Sequence, residues 1–257
     1  MNVLEFVLLL VAGIGSGLVG SVAGLASLIS YPALLATGVP PVTANMTNTV
    51  AMVFQGVGSV SASRPELRGQ GRRVLRLAVA SVLGGVAGAA LLMLTPTSVF
   101  ERVVPWLIGG ASAALLVQRP PREMALEGAR LHPGRAHDDP RWLPLATFAI
   151  AIYGGYFGAA VGVMMLALLL LTTGEGLPRG NALRNVLLGL TNIVAAIAFI
   201  VLSPIAWTAV LPLAIGMFTG SRCGPWVVRR APQTALRRII GLAGIGLAIH
   251  LAIQAYG

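Results

Sequence analysis

The chain has 257 residues, 56% of them hydrophobic and only 10% charged, with a mean hydropathy of +0.84. Soluble domains carry about 25% charged residues, so this composition excludes an ordinary soluble protein and indicates a multi-spanning membrane protein. The 18 basic residues are all arginine and stand against 8 acidic ones, for a net charge of +10. They sit between the apolar runs, as topology signals and contacts to anionic lipid head groups do, and form no nucleic-acid surface.

Taken in chain order, the first apolar stretch is 3–36. It carries Glu5 where a signal peptide has a positive segment, so it is read as a retained membrane segment. Gly17, Gly20 and Gly24 stud it, and it ends in Thr37-Gly38-Val39-Pro40-Pro41. Spanning helices are predicted over about 44–63, 74–94 and 99–117. The loop 64–76 between the first two holds Arg64, Arg68, Arg72, Arg73 and Arg76. Residues 119–141 form a polar linker. His132, His137, Asp138 and Asp139 within it match no closed metal site by spacing, and the linker is read as a solvated loop. The second apolar stretch, 142–173, carries Gly155, Gly158 and Gly162 and ends in Thr173-Gly174-Glu175-Gly176-Leu177-Pro178. Further spans are predicted over 183–202, 207–228 and 235–255.

These elements occur twice. Gly17, Gly20 and Gly24 recur as Gly155, Gly158 and Gly162, at an offset of 138; Thr47-Asn48 and Gln55 recur as Arg184-Asn185 and Asn192, at an offset of 137. The expected organisation is a first repeat over 1–118, a linker over 119–141 and a second repeat over 142–257. Corresponding loops differ in charge. The partner of 64–76 is the uncharged Ser203-Pro204-Ile205-Ala206, whereas Arg229, Arg230, Arg237 and Arg238 follow the second half's third segment. By the positive-inside rule the halves face opposite ways. The fold class is therefore an all-α polytopic membrane protein of two inverted-topology repeats, each a glycine-rich broken helix or re-entrant hairpin plus three spanning helices. With 3–36 and 142–173 as hairpins, the basic loops 64–76, 119–141 and 229–238, together with 174–182, lie in the cytoplasm and both termini lie outside.

Asn45, Asn48, Thr49 and Gln55 fall within an arc of roughly 120° on a helix, and Asn181, Arg184, Asn185, Thr191 and Asn192 repeat the pattern. Such groups need partners inside a membrane, either as interhelical glue or around a shared polar site. Arg184 either snorkels to the interface or serves an incoming anion, whose oxygens a guanidinium matches by forked hydrogen bonds. The spaced glycines allow close helix packing or shape a hairpin tip. Nothing resembles an enzyme: the sequence has no HExxH, no Walker A and no buried acid–base pair. The single Cys223 excludes an internal disulfide and a thiolate cluster, and no cofactor or metal is expected. His250 stands alone in the last span.

Through Gly38, Pro40, Pro41, Ala44, Thr47 and Asn48, followed by the basic loop 64–76, the chain resembles the TauE/SafE family of sulfite and organosulfonate transporters. Pro178, Arg184, Asn185, Thr191 and Asn192 match the family's weaker second motif. The resemblance implies a bacterial inner-membrane carrier for small sulfur-containing anions, sulfite or organosulfonates such as sulfoacetate, working by alternating access at the seam between the repeats. The candidate substrate-binding residues are Asn45, Thr47, Asn48, Gln55, Asn181, Arg184, Asn185, Thr191 and Asn192. Gly17, Gly20, Gly24, Gly155, Gly158 and Gly162 are the hairpin or packing glycines. An anion channel and a non-transporting membrane assembly or interaction protein are the alternatives. The expected partners are the small anion and membrane lipid, with no nucleic acid; a homodimer is left open.

Overall fold

The computed structural model describes residues 1–118, 120–131, 139–228 and 233–256. Among them there are eleven α-helices and one short 3₁₀ turn, Pro65–Leu67, and no strand. The first half contains α1 (Val3–Ala23), α2 (Ser27–Ala36), α3 (Pro41–Ala62), α4 (Gly71–Leu94) and α5 (Thr97–Val117). Then come α6 (Pro121–Leu131), α7 (Leu143–Tyr156), α8 (Val161–Thr173), α9 (Leu177–Leu202), α10 (Trp207–Val228) and α11 (Gln233–Tyr256). Among the described residues, five helices are long and apolar enough to cross a membrane: Val3–Ser21, Gly71–Leu94, Thr97–Val117, Leu177–Leu202 and Arg238–Tyr256. At 22 residues α3 has the length, about 33 Å, but it carries the buried amides that lower its apolarity. Local chemistry fixes the helix starts. Asn2 and Glu5 cap α1 reciprocally at 2.8 Å each way, while Pro41 and Pro178 occupy first-turn positions that need no donor.

Both long apolar stretches are broken helices. Gly24 ends α1 in the left-handed region at φ 75°, which costs glycine little. A Cβ on Gly15 would sit 3.9 Å from Ile29, fourteen residues on, where a continuous helix would separate them by about 21 Å. The chain therefore doubles back after Gly24. The second break runs from Phe157 to Ala160, with Gly158 at φ 76° and Ala160 at φ 55°. The Tyr153 hydroxyl braces it by donating to the Ala159 carbonyl at 2.8 Å. The two breaks are unequal in their arms: α1 has 21 residues and α2 has 10, whereas α7 and α8 have 14 and 13.

One sequence expectation needs correction. Residues 121–131 are not solvated loop but the helix α6, whose Met124 and Gly128 are buried against Leu166 and Leu170 of α8. Pro121 opens it, with Glu123 in the first turn and Arg130 in the last, as the helix dipole favours. The readings placed on His132, His137, Asp138, Arg229 and Arg230 lie outside the described residues.

Glycine contacts and hydrogen bonds fix the helix register. Gly13 meets Leu213 and Gly17 meets Met217, so α1 and α10 run in the same direction. Gly84 meets Phe148 and Gly88 meets Ile152, so α4 and α7 do likewise. Thr47 pairs with Ala206 and Gly58 abuts Ser221, which sets α3 alongside α10. Gln70 reaches Arg179 and Thr191 reaches Ser81, which sets α4 alongside α9. Helices α5 and α11 run in opposite directions: Trp106 bonds Tyr256, while Gly244 packs on Ser112 and Gly241 on Leu116.

Candidate substrate site

Helices α3 and α9 cross where Gly56 faces Gly189, and a Cβ on Gly56 would lie 3.2 Å from the Gly189 Cα. The two breaks meet beside this crossing. A Cβ on Gly24 would be 2.5 Å from the Gly162 carbonyl carbon, and one on Gly162 would be 2.5 Å from the Gly24 Cα. Between crossing and breaks lies a cavity of about 30 Å³, room for about two water molecules. Its walls include Gln55, Ser59, Met52 and Ser27 from the first half and Arg184, Asn185 and Asn192 from the second. Ser27 begins α2, and Val161 and Gly162 begin α8, so both short helices present their N-terminal ends here, where backbone N–H groups favour an anion.

Arg184, seven residues into α9, is only 1% exposed. It does not snorkel to an interface. Its Nη2 donates to the carbonyls of Gly20 at 3.0 Å and Ser21 at 2.8 Å, and to the Asn185 Oδ1 at 2.7 Å. Gly20 and Ser21 are in the last turn of α1, where a cation complements the helix dipole. Asn181 adds a bond to the Ser21 carbonyl at 3.0 Å. The first half returns the contact: Asn45 donates at 2.9 Å to the carbonyl of Tyr156, the last residue of α7. Polar side chains of each half thus hold the end of the other half's broken helix.

Of the residues singled out from sequence, Gln55, Arg184, Asn185 and Asn192 line the cavity, with Gly20, Gly24, Gly158 and Gly162. Asn48 stands one layer behind, donating to Ser27 at 3.4 Å and to the Met52 sulfur at 3.5 Å. Asn45 and Asn181 hold helix ends. Thr47 is fully buried and accepts the Ala206 N–H at 3.2 Å, at the start of α10. Thr191 donates to the carbonyls of Ser81 at 3.3 Å and Leu187 at 3.1 Å, bridging α9 to α4. Gly17 and Gly155 serve helix packing, against α10 and α4. Gly20 is small because a Cβ there would come within 2.6 Å of the Gln55 amide nitrogen. Met52 and Ser59 were not singled out, yet the series Asn48, Met52, Gln55, Ser59 is the same helical face continued at i+4, i+7 and i+11. Among the described residues, the side-chain oxygens of Asn45, Asn48, Gln55, Ser59 and Asn181 are buried without a protein hydrogen-bond partner. Such groups cost about 1–3 kcal/mol each when left unsatisfied.

A polytopic helical protein whose two broken helices meet around a buried guanidinium and several amides has the build of a membrane transporter. Comparison with known proteins agrees: the chain belongs to the family described as "Sulfite exporter TauE/SafE", whose model matches residues 9–251. It is 26% identical to the probable membrane transporter protein YfcA of Escherichia coli strain K12, over all of this chain and 91% of the relative. It is 26% identical to the probable membrane transporter protein ORF9 of a Sinorhizobium species, over 95% of this chain and 90% of that one. A probable membrane transporter protein of Haemophilus influenzae is 24% identical over 91% of this chain and 89% of its own length. No solved structure matches. The chain is a multi-pass membrane transporter of the sulfite-exporter type.

Proposed function

We propose that this transporter moves small sulfur-containing oxyanions, sulfite or organosulfonates such as sulfoacetate, across the bacterial inner membrane by alternating access. The observation that carries the reading is the buried Arg184 guanidinium facing a polar cavity into which two helix N-termini open. A guanidinium and the positive ends of two helix dipoles both favour a sulfonate's oxygens. Gln55, Asn185 and Asn192 turn amide N–H groups toward the anion, and Asn48 supports them from behind. A cavity of about 30 Å³ admits no sulfonate until the breaks separate, and the Gly24–Gly162 contact is the surface on which they part.

The two halves act as inverted repeats in this reading. Helix α3 runs with α10 and α4 with α9, while α9 and α10 are joined by only 203–206 and so run oppositely. Each helix is then antiparallel to its counterpart in the other half, and the arginine-rich ends fall together on the cytoplasmic side.

The test is counterflow in proteoliposomes loaded with sulfite, sulfoacetate, taurine, sulfate or acetate. Saturable uptake stimulated by the same anion on the opposite side is expected for at least one sulfur oxyanion. Gln55→Ala and Asn192→Ala should each raise KM about tenfold, the loss of one hydrogen bond to a charged ligand. Uptake that rises linearly without stimulation would identify a channel. A folded protein that moves none of the panel would overturn the assignment.

A further inference from the structure

At the arginine-rich end, residues 69–73 and Arg76, with Asp139, Glu175 and Arg179, enclose a second, larger hollow of about 600 Å³. Four arginines line it, Arg72, Arg73, Arg76 and Arg179, against two carboxylates, Asp139 and Glu175. Arg73 is buried, and Asp139 grips it as a fork, Oδ2 on Nε and Oδ1 on Nη2, both at 2.7 Å. Glu175 takes Nη1 at 2.7 Å and also accepts from Arg179 Nε at 2.6 Å. The start of α4 opens onto the same space. The N-cap residue Gln70 makes no side-chain bond to the first turn, its amide donating to the Glu66 carbonyl at 2.9 Å instead. Gly71 lines the hollow, and a Cβ on Gly71 would meet nothing within 4 Å.

We propose that this hollow is a second oxyanion site, separate from the Arg184 cavity, in which Asp139 is the built-in competitor. The reasoning is chemical. A carboxylate seated bidentate on a guanidinium occupies the geometry that a sulfonate, sulfate or phosphate takes up there. The 24-residue helix α4 adds its N-terminal N–H groups. The exposed Arg72 and Arg76 leave the lining with two positive charges in excess of its two carboxylates. The ligand class is therefore a tetrahedral oxyanion of one or two charges, either free or carried on a lipid head group. Its arrival exchanges Asp139 for the anion's own oxygens, so occupancy is set by how well the two compete. The site does not depend on which anion the transporter moves.

The experiment is isothermal titration of the full chain in neutral detergent with sodium sulfate at fixed ionic strength, chloride making up the balance. Asp139→Asn, which keeps the shape and removes the competing charge, should tighten sulfate binding about tenfold. The double variant R72Q/R76Q, in the background that retains Asp139, should weaken it about tenfold, and it tests the rim without touching the buried network. Asn192→Ala, in the central cavity, should leave this binding unchanged. A parallel titration in nanodiscs of phosphatidylcholine, with and without phosphatidylglycerol, distinguishes the sources. Sulfate binding retained with the anionic lipid present assigns the site to a free anion, and binding abolished by it assigns the site to the head group. The proposal is overturned if D139N binds no tighter than the parent and R72Q/R76Q binds no more weakly, or if N192A alone abolishes the signal.

Discussion

At the scale of single residues, the breaks make the sharpest demand on the sequence. Gly24 has a positive φ and its missing Cβ is the space filled by Gly162, whereas Gly38 has φ 79° with nothing within 4 Å of the Cβ it lacks. The two glycines therefore separate backbone strain from packing. Gly38→Ala should cost about 1–2 kcal/mol, the left-handed penalty alone. Gly24→Ala adds an overpacking cost of about 1–3 kcal/mol and should be clearly the less stable in thermal unfolding in detergent. Equal losses would show that the breaks do not press on each other. Much of the cavity wall was legible at this scale, because Gln55, Arg184, Asn185 and Asn192 are polar residues repeated on one helical face. The roles of Thr47 and Thr191 were not legible. Both are buried threonines, and only packing shows that one caps α10 and the other bridges to α4.

Among the elements, the crossed caps couple each half to the other's broken helix. Arg184 grips two carbonyls of α1 and the Asn185 amide at once, a fork that a lysine ammonium on a flexible stem cannot reproduce. Arg184→Lys is expected to speed hydrogen exchange about tenfold at the amides of 24–28, just past the end of α1, with little change at 157–161. Asn45→Ala should do the converse, because its partner is the Tyr156 carbonyl at the end of α7. Similar acceleration at both breaks in both variants would refute the crossed arrangement. The helices themselves were largely readable from run length. The spans predicted at 44–63, 74–94 and 99–117 became Pro41–Ala62, Gly71–Leu94 and Thr97–Val117. Their starts moved toward the N-terminus because prolines and polar first turns extend a helix beyond its apolar stretch. Helix α6 escaped notice because its eleven residues bury only Met124 and Gly128 in a charged background. The point of each break could not be read, since several glycines in each stretch allow a left-handed turn and tertiary contact selects one.

For the whole molecule, the register of neighbouring helices makes a claim about the membrane that labelling can decide. Arg73 ties the start of α4 to Asp139 and to Glu175 before α9, so 63–70, 139–142 and 174–176 share one end. The Thr47–Ala206 bond puts the start of α3 with 203–206 at the other end, and the intervening α4 carries the chain back there for 95–96. With arginine concentrated at the first end, the positive-inside rule puts that end in the cytoplasm. Cys223, the single native thiol and an exposed one, is first replaced by serine. Single cysteines are then placed at the exposed positions Arg68, Arg141, Ser98 and Pro204. In intact spheroplasts a membrane-impermeant maleimide should label Ser98→Cys and Pro204→Cys, whereas Arg68→Cys and Arg141→Cys should react only after the membrane is opened. The pair Arg68 and Pro204 bears most directly on the inversion, because they lie in equivalent loops of the two halves. If both react from the same side, the halves are parallel copies, and a seam between inverted repeats is lost as the place for the site.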